Sequence, residues 1–170
     1  MITPAYCLTM ARYNAWQNGC LRRALSGLSP AALTEDRGAF FGSLLATANH
    51  LIWADALWLS RLTGTPVPEG GGPRGLTLCP TFATWSAERF RLDGQLLLWA
   101  EKVPALALTG SLEWTASTGE RHVRPLGQVL MHLFNHQIHH RGQIHAMLTA
   151  AGIPTEDTDL LFLPEQGPWL

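Results

Sequence analysis

Charge is scarce in this chain of 170 residues: only 15% are Asp, Glu, Lys or Arg, against about 25% in an average globular protein. The 12 basic and 13 acidic residues nearly cancel, leaving a net charge of -1. Without a basic surplus nothing neutralises a phosphate backbone, so direct nucleic-acid binding is not expected. Cysteine is also sparse. Cys7, Cys20 and Cys79 are odd in number, far apart, and form no C-x-x-C pair. A disulfide framework is not expected; all three read as small buried hydrophobes in a reducing compartment. No apolar run reaches the ~18–20 residues of a membrane span. The opening Met1-Ile2-Thr3-Pro4 lacks the basic patch and apolar core of a signal peptide. These absences point to a cytoplasmic protein that engages no membrane.

What the chain has is apolar surface. Hydrophobic residues make up 46% of it, which excludes intrinsic disorder. The length suits one domain with its own core, spanning residues 1–170. Seven Trp and seven His stand out, and five of the histidines crowd into residues 132–145.

Hydrophobic periodicity predicts four long helices. Residues 5–25 place Tyr13, Trp16, Cys20 and Ala24 at three- and four-residue steps, and Gly27, Ser29 and Pro30 stop them. Residues 31–38 read as a short polar connection. A second helix, Ser43 to Leu62, carries only Asp55 and Arg61 as charges and should be deeply buried. Residues 63–80 are punctuated by Gly and Pro, which predicts a long loop without a packed element. A third helix runs from Thr81 to Lys102, with Phe82, Trp85, Phe90, Leu92, Leu96 and Trp99 as its apolar surface. Residues 108–117 and 121–124 read as a hairpin around Thr118-Gly119. A fourth helix spans Pro125 to Ala151, between a proline suited to a first turn and the stop Gly152-Ile153-Pro154. One short helical turn is expected at Asp157–Leu161. The fold class is all-α, a helical bundle with a small β-hairpin inserted before the last long helix.

The histidines sort by helical geometry. With Leu126 at zero and about 100° per residue, the apolar stripe of the fourth helix centres near 330°. His140 falls at about 320° and His136 at about 280°, both inside the stripe. His132 and His139, near 240° and 220°, flank it as outer-rim or interface residues, while His145 points to the surface. His136 and His140 are one turn apart on one face, a spacing that lets two imidazoles share a metal ion. Gln137 stands where an H-E-x-x-H protease needs Glu, so that chemistry is rejected. Two buried imidazoles left unpaired would cost about 1–3 kcal/mol each, and a metal satisfies both. A third ligand is needed from elsewhere. His50, in the buried second helix, is the only histidine on another helix; alone it would read as a core residue bonded to a carbonyl.

The stretch Asn135-His136-Gln137-Ile138-His139-His140-Arg141-Gly142-Gln143 resembles the H-x-x-x-H-R-G-Q signature of the DinB-like, or YfiT-like, proteins. These are distinct from the DNA polymerase that shares the DinB name. The second helix is similar to theirs in His50-Leu51-Ile52-Trp53-Ala54-Asp55 and Trp58-Leu59-Ser60-Arg61-Leu62, followed by Gly64. Tyr13-Asn14-Ala15-Trp16-Gln17-Asn18 and Thr158-Asp159-Leu160-Leu161 also resemble the family. The resemblance covers nearly the whole chain. It implies an up-down-down-up four-helix bundle, commonly a homodimer. It also implies a divalent metal ion, nickel or zinc, on His50, His136 and His140. His139, three residues from His136, is a stereochemically possible substitute; the position before Arg141-Gly142 favours His140. Gln143 can orient a ligand or a bound water. Gly142 can allow close helix approach, Arg141 can form a salt bridge or bind an anion, and Asp55 can support the site or pair two helices.

The family includes transferases that join low-molecular-weight thiols to electrophiles, and a thiol-dependent isomerase. The leading expectation is therefore a metal-dependent enzyme that activates a thiol or water. That means a thiol S-transferase acting on a small thiol and an electrophile, with a hydrolase less favoured. The Gly/Pro-rich loop or the tail would roof its cavity, and no residue stands out as general base. The alternative is a non-catalytic metal-binding dimer induced by stress or damage. A third reading is a helical interaction module with unmetallated histidines.

Overall fold

Four hydroxyl side chains start helices here. Thr3, Ser29, Ser43 and Thr81 each accept a hydrogen bond from the backbone N–H three residues on. Each satisfies one of the four N–H groups that a helix start leaves without a partner, worth about 0.5–2 kcal/mol. The structure, a computed structural model, describes residues 2–116 and 118–170. Its elements are α1 (Pro4–Ser26), α2 (Pro30–Thr34), α3 (Leu44–Thr63), α4 (Phe82–Lys102), β1 (Ser111–Thr115), β2 (Arg121–Pro125) and α5 (Leu126–Ala150). The four predicted long helices are α1, α3, α4 and α5. Gly64 ends α3 in the left-handed region (φ 70°), its N–H bonded to the Ser60 carbonyl.

Three expectations change. The polar connection at 31–38 contains the short helix α2, begun by Ser29 and Pro30 and anchored by buried Leu33. The Gly/Pro-rich segment is not free of structure: Gly72–Thr77 forms a 3-10 turn against α3. There the glycines permit close approach, since a Cβ on Gly71 or Gly75 would sit 3.2 Å from the Trp53 ring. The helical turn of the tail falls at Leu160–Phe162, slightly later than expected. The hairpin forms with Thr115 opposite Arg121 and Ser111 opposite Pro125. The predicted strand end at Ser117 lies outside the described residues.

α1 packs mainly on α4, and α3 on α5 and α4. Between α1 and α5, Tyr6 meets Phe134 and Arg141 lies over Tyr13, so positions rise together. Between α3 and α5 the order reverses: Trp58 meets His132, while His50 meets His140. Leu25, Leu44, Ile52, Trp85, Leu130, Phe134 and Ile144 are sealed in the core that the four helices share. All three cysteines are free and buried, as expected.

The core centre is polar, which the apolar periodicity of α4 conceals. Arg89 and Asp93 point inward, and Phe90, expected inside, is 49% exposed beneath the Arg22 guanidinium. Arg89 Nη1 donates to Asp55 Oδ2 at 2.6 Å, and Arg89 Nε to Asp93 Oδ2 at 3.0 Å. Asn18 Nδ2 donates to Asp93 Oδ1 at 2.9 Å. From α5, Arg141 Nη1 donates to the amide oxygens of Asn14 and Gln137. Asp55 is therefore a helix-pairing ion, one of its two expected roles. Loss of water pushes its carboxyl up to about 6 despite Arg89, so burying the charges costs much of what pairing them returns. Breaking the pair strands a buried charge. Arg89→Met is expected to lower stability by about 3–5 kcal/mol in a urea melt. Glu113→Ala, in the exposed hairpin ion pair with Arg121, should leave the midpoint unchanged within error.

Candidate metal centre

α3 and α5 pack face to face, and that contact brings distant histidines together. His50 lies in the first half of α3; His136 and His140 lie one turn apart on α5. The Nε2 atom of His136 is 3.1 Å from that of His50 and 3.1 Å from that of His140. One ring nitrogen from each of the three lies within 4.8 Å of the others, so the set can hold one metal ion. No carboxylate or thiol joins the cluster among the described residues. Tetrahedral zinc with Zn–N of about 2.0–2.1 Å separates its ligand nitrogens by about 3.4 Å, close to what is found.

The protonation of these rings favours a cation over a proton. Gln143 Oε1, an acceptor, is 2.7 Å from His140 Nδ1. It fixes the proton on that nitrogen and leaves the Nε2 lone pair of His140 aimed into the cluster. His136 Nε2 has a single in-plane site, so it can serve only one of its two close neighbours by a well-aligned hydrogen bond. A shared ion satisfies all three lone pairs at once. Burial, helped by the neighbouring His140, pushes His50 down to about 4. Burial and the surrounding imidazoles take His136 down to about 3. His140 is lowered by burial, against the pull of Gln143. The set is neutral at neutral pH, the form in which imidazole binds metals.

The surroundings are aromatic. The Phe41 ring stacks 4.2 Å from His50 and 5.4 Å from His140, centroid to centroid. The tight turn before α3 places it there, with an Ala39–Gly42 bridge and the Arg37 N–H bonded to the Gly42 carbonyl. Sequence reasoning missed Phe41, because a single aromatic outside a helix carries no periodic signal. The expected roofs lie elsewhere. The Gly/Pro-rich turn covers Trp53, whose ring is 6.4 Å from His50. The tail fastens to α1 through Tyr13, Gln17 and Arg23.

The other candidates separate cleanly. His132 and His139 are exposed, with rings 5.5 Å from His136 and 4.8 Å from His140; neither joins the cluster, and between His139 and His140 the structure selects His140. His145, expected at the surface, is half-buried with Nε2 3.4 Å from Thr155 Oγ1. Arg141 points away from the histidines, but it forms no ion pair among the described residues and bonds two amides instead. Gly142 is exposed, and a Cβ there would meet nothing within 4 Å, so no close helix approach depends on it.

The DinB family model matches residues 1–169. The chain belongs to the DinB family. No curated protein matches it closely enough to count as a relative. In this DinB-family chain, the H-x-x-x-H-R-G-Q stretch supplies two of the three clustered rings, the glutamine that orients one of them, and an arginine turned away towards α1.

Two consequences follow for measurement. His50 and His136 titrate at about 4 and about 3 in the folded chain but near 6.5 when unfolded. For these rings the unfolded state binds more protons between those values, so their contribution to stability rises with pH there. Asp55, raised to about 6 in the fold, acts in the opposite sense below that pH. The share of His136 is therefore read by difference: denaturant midpoints from about pH 7 to about pH 4 should show the metal-free protein losing more stability than His136→Gln as pH falls. Gln143→Ala should weaken zinc binding about 10–100-fold in a chelator competition, because the His140 ring loses its fixed tautomer.

Proposed function

We propose that this chain is a metal-dependent enzyme of the thiol S-transferase type, with His50, His136 and His140 holding one divalent ion. The observation that carries the reading is the convergence of three neutral imidazoles with no carboxylate, thiol or fourth histidine joining them among the described residues. Three nitrogen ligands leave positions open, as catalytic sites do, whereas structural zinc sites are closed by a fourth. Zinc and nickel both accept an all-imidazole set. Bound there, the ion supplies Lewis acidity that makes a thiol or a water acidic enough to react at neutral pH. The chain's own residues do the rest. The three rings stay unprotonated because they are buried, Gln143 fixes the orientation of His140, and Phe41 keeps water from one side of the cluster. We assign no general base.

The same reading makes the fold an up-down-down-up bundle of α1, α3, α4 and α5. It is supported by contacts that rise together between α1 and α5 and run oppositely between α3 and α5. It also takes the chain to be a homodimer acting in the cytoplasm on a small thiol and an electrophile, without nucleic acid or membrane. The net charge of -1 agrees with this, and no helix among the described residues is long and apolar enough to cross a membrane.

One observation favours a second reading. Neither the cavity beneath the tail nor the one between α3 and α4 borders His50, His136 or His140. A non-catalytic metal-binding dimer, induced by stress or damage, would need no substrate pocket there.

Elemental analysis of protein purified without a His tag tests the site. About one zinc or nickel per chain is expected, with a higher melting temperature than after chelation. His50→Ala, His136→Ala and His140→Ala should each lose most of the metal, and His145→Ala should keep it. Equal retention by all four overturns the site. The loaded protein is then assayed with small thiols and 1-chloro-2,4-dinitrobenzene. Turnover that disappears in His136→Ala supports the enzyme; bound metal without turnover on any thiol or electrophile supports the second reading.

A further inference from the structure

A cavity beside a buried cationic side chain lies on another face of α5 from the three clustered histidines. Where α1, α5 and the tail meet, a cavity of about 280 Å³ opens, lined by Leu21, Ala24, Ile138, Leu148, Arg141 and Thr155, among others. It shares no lining residue with the three-histidine cluster. Most of its polar walls are already engaged. The Tyr13 hydroxyl donates to the Thr158 carbonyl at 2.6 Å, and Gln17 Nε2 to the Asp157 carbonyl at 2.9 Å. The Glu156 carboxylate is held by Arg23 at 2.7 Å. The Cys20 thiol, pushed up to about 11 by burial, is a neutral wall rather than a nucleophile.

Arg141 differs. Only 9% of it is exposed, and it pairs with no carboxylate among the described residues. Both carboxylates of the core centre are already taken by Arg89. Only Nη1 is bonded, to two amide oxygens. Nε and Nη2 have no protein acceptor among the described residues, and neither is among the sealed unpartnered atoms, so both keep some exposure on a side chain that lines the cavity. A buried guanidinium with free donors needs an acceptor, and a carboxylate supplies two oxygens in matching geometry.

We propose that this cavity is a binding site for a small carboxylate with an apolar body, its anionic end on Arg141 and its body against Leu21, Ala24, Ile138 and Leu148. The volume is just below the ~300–1,000 Å³ of drug-sized pockets, so the ligand has roughly ten non-hydrogen atoms. The proposal is independent of the metal reading. It concerns another face, and its ligand need not react.

Octanoate is the probe and octan-1-ol its uncharged control, titrated into the full chain by isothermal calorimetry and by NMR. Octanoate should bind about 10-fold or more tightly than octanol, with cross-peaks to the methyls of Ile138 and Leu148. Ala24→Trp, which fills the cavity from its wall, should abolish binding without changing metal content. His50→Ala, which acts on the other face, should leave octanoate affinity unchanged. Equal affinity for octanol would remove Arg141 as the anchor. Binding that survives Ala24→Trp, or that vanishes in His50→Ala or on chelation, would move the carboxylate to another place and overturn the proposal. The absence of octanoate cross-peaks to Ile138 and Leu148 overturns it too, even if Ala24→Trp fails to fold.

Discussion

A buried polar ladder across the middle of the helices is the constraint on which the rest depends. Arg89 of α4 grips Asp55 of α3 and Asp93 of its own helix; Asn18 of α1 completes Asp93, and Asn14 meets Arg141 of α5. All four long helices contribute. Such a network adds little net stability, because each charge must give up its water. Its contribution is discrimination: sliding one helix by a single residue would bury an unpaired ion, whereas the apolar contacts around it would tolerate the shift far better. With the helices fixed in register, His50 arrives opposite His136 and His140 rather than a turn away.

α5 shows how one helix serves two sites. His136 and His140 form one pair a turn apart; Gln137 and Arg141 form a second, displaced by one residue and so by about 100°. The first pair faces α3 and gathers the imidazoles. The second faces α1 and joins the ladder. The ring orientation at the proposed metal centre and the packing of α1 are thus set by the same helix rotation. A change that rolls α5 disturbs both together. Arg141 also links the ladder to the cavity under the tail, where its remaining donors lie.

The histidine cluster was legible in the chain to an unusual degree. The wheel alone selects His136 and His140, since both rings fall within an apolar stripe where a lone imidazole is poorly satisfied. Asp55 was legible only as an alternative between two roles. The ladder itself was hidden, although its signature is present: Asn14 and Asn18, Arg89 and Asp93, and Gln137 and Arg141 are each four residues apart. Apolar periodicity counts such residues as breaks in a stripe, so it draws Phe90 inward and passes over Arg89. Phe41 and the turn at Gly72–Thr77 were hidden for another reason. Their positions follow from contacts with α3 and not from any local repeat.

The sequence by itself determined the number of long helices, nearly all their ends, the hairpin and the pair of rings on α5. These are matters of propensity, capping and period, which act over a few residues. Only the tertiary structure decided that His50 comes within reach of that pair, and that Arg141 meets Asn14 and lines a cavity beneath the tail. Each depends on the rotation of one helix against another. That rotation is set by long-range pairing of buried groups, a sum over the whole core that no short window of residues contains.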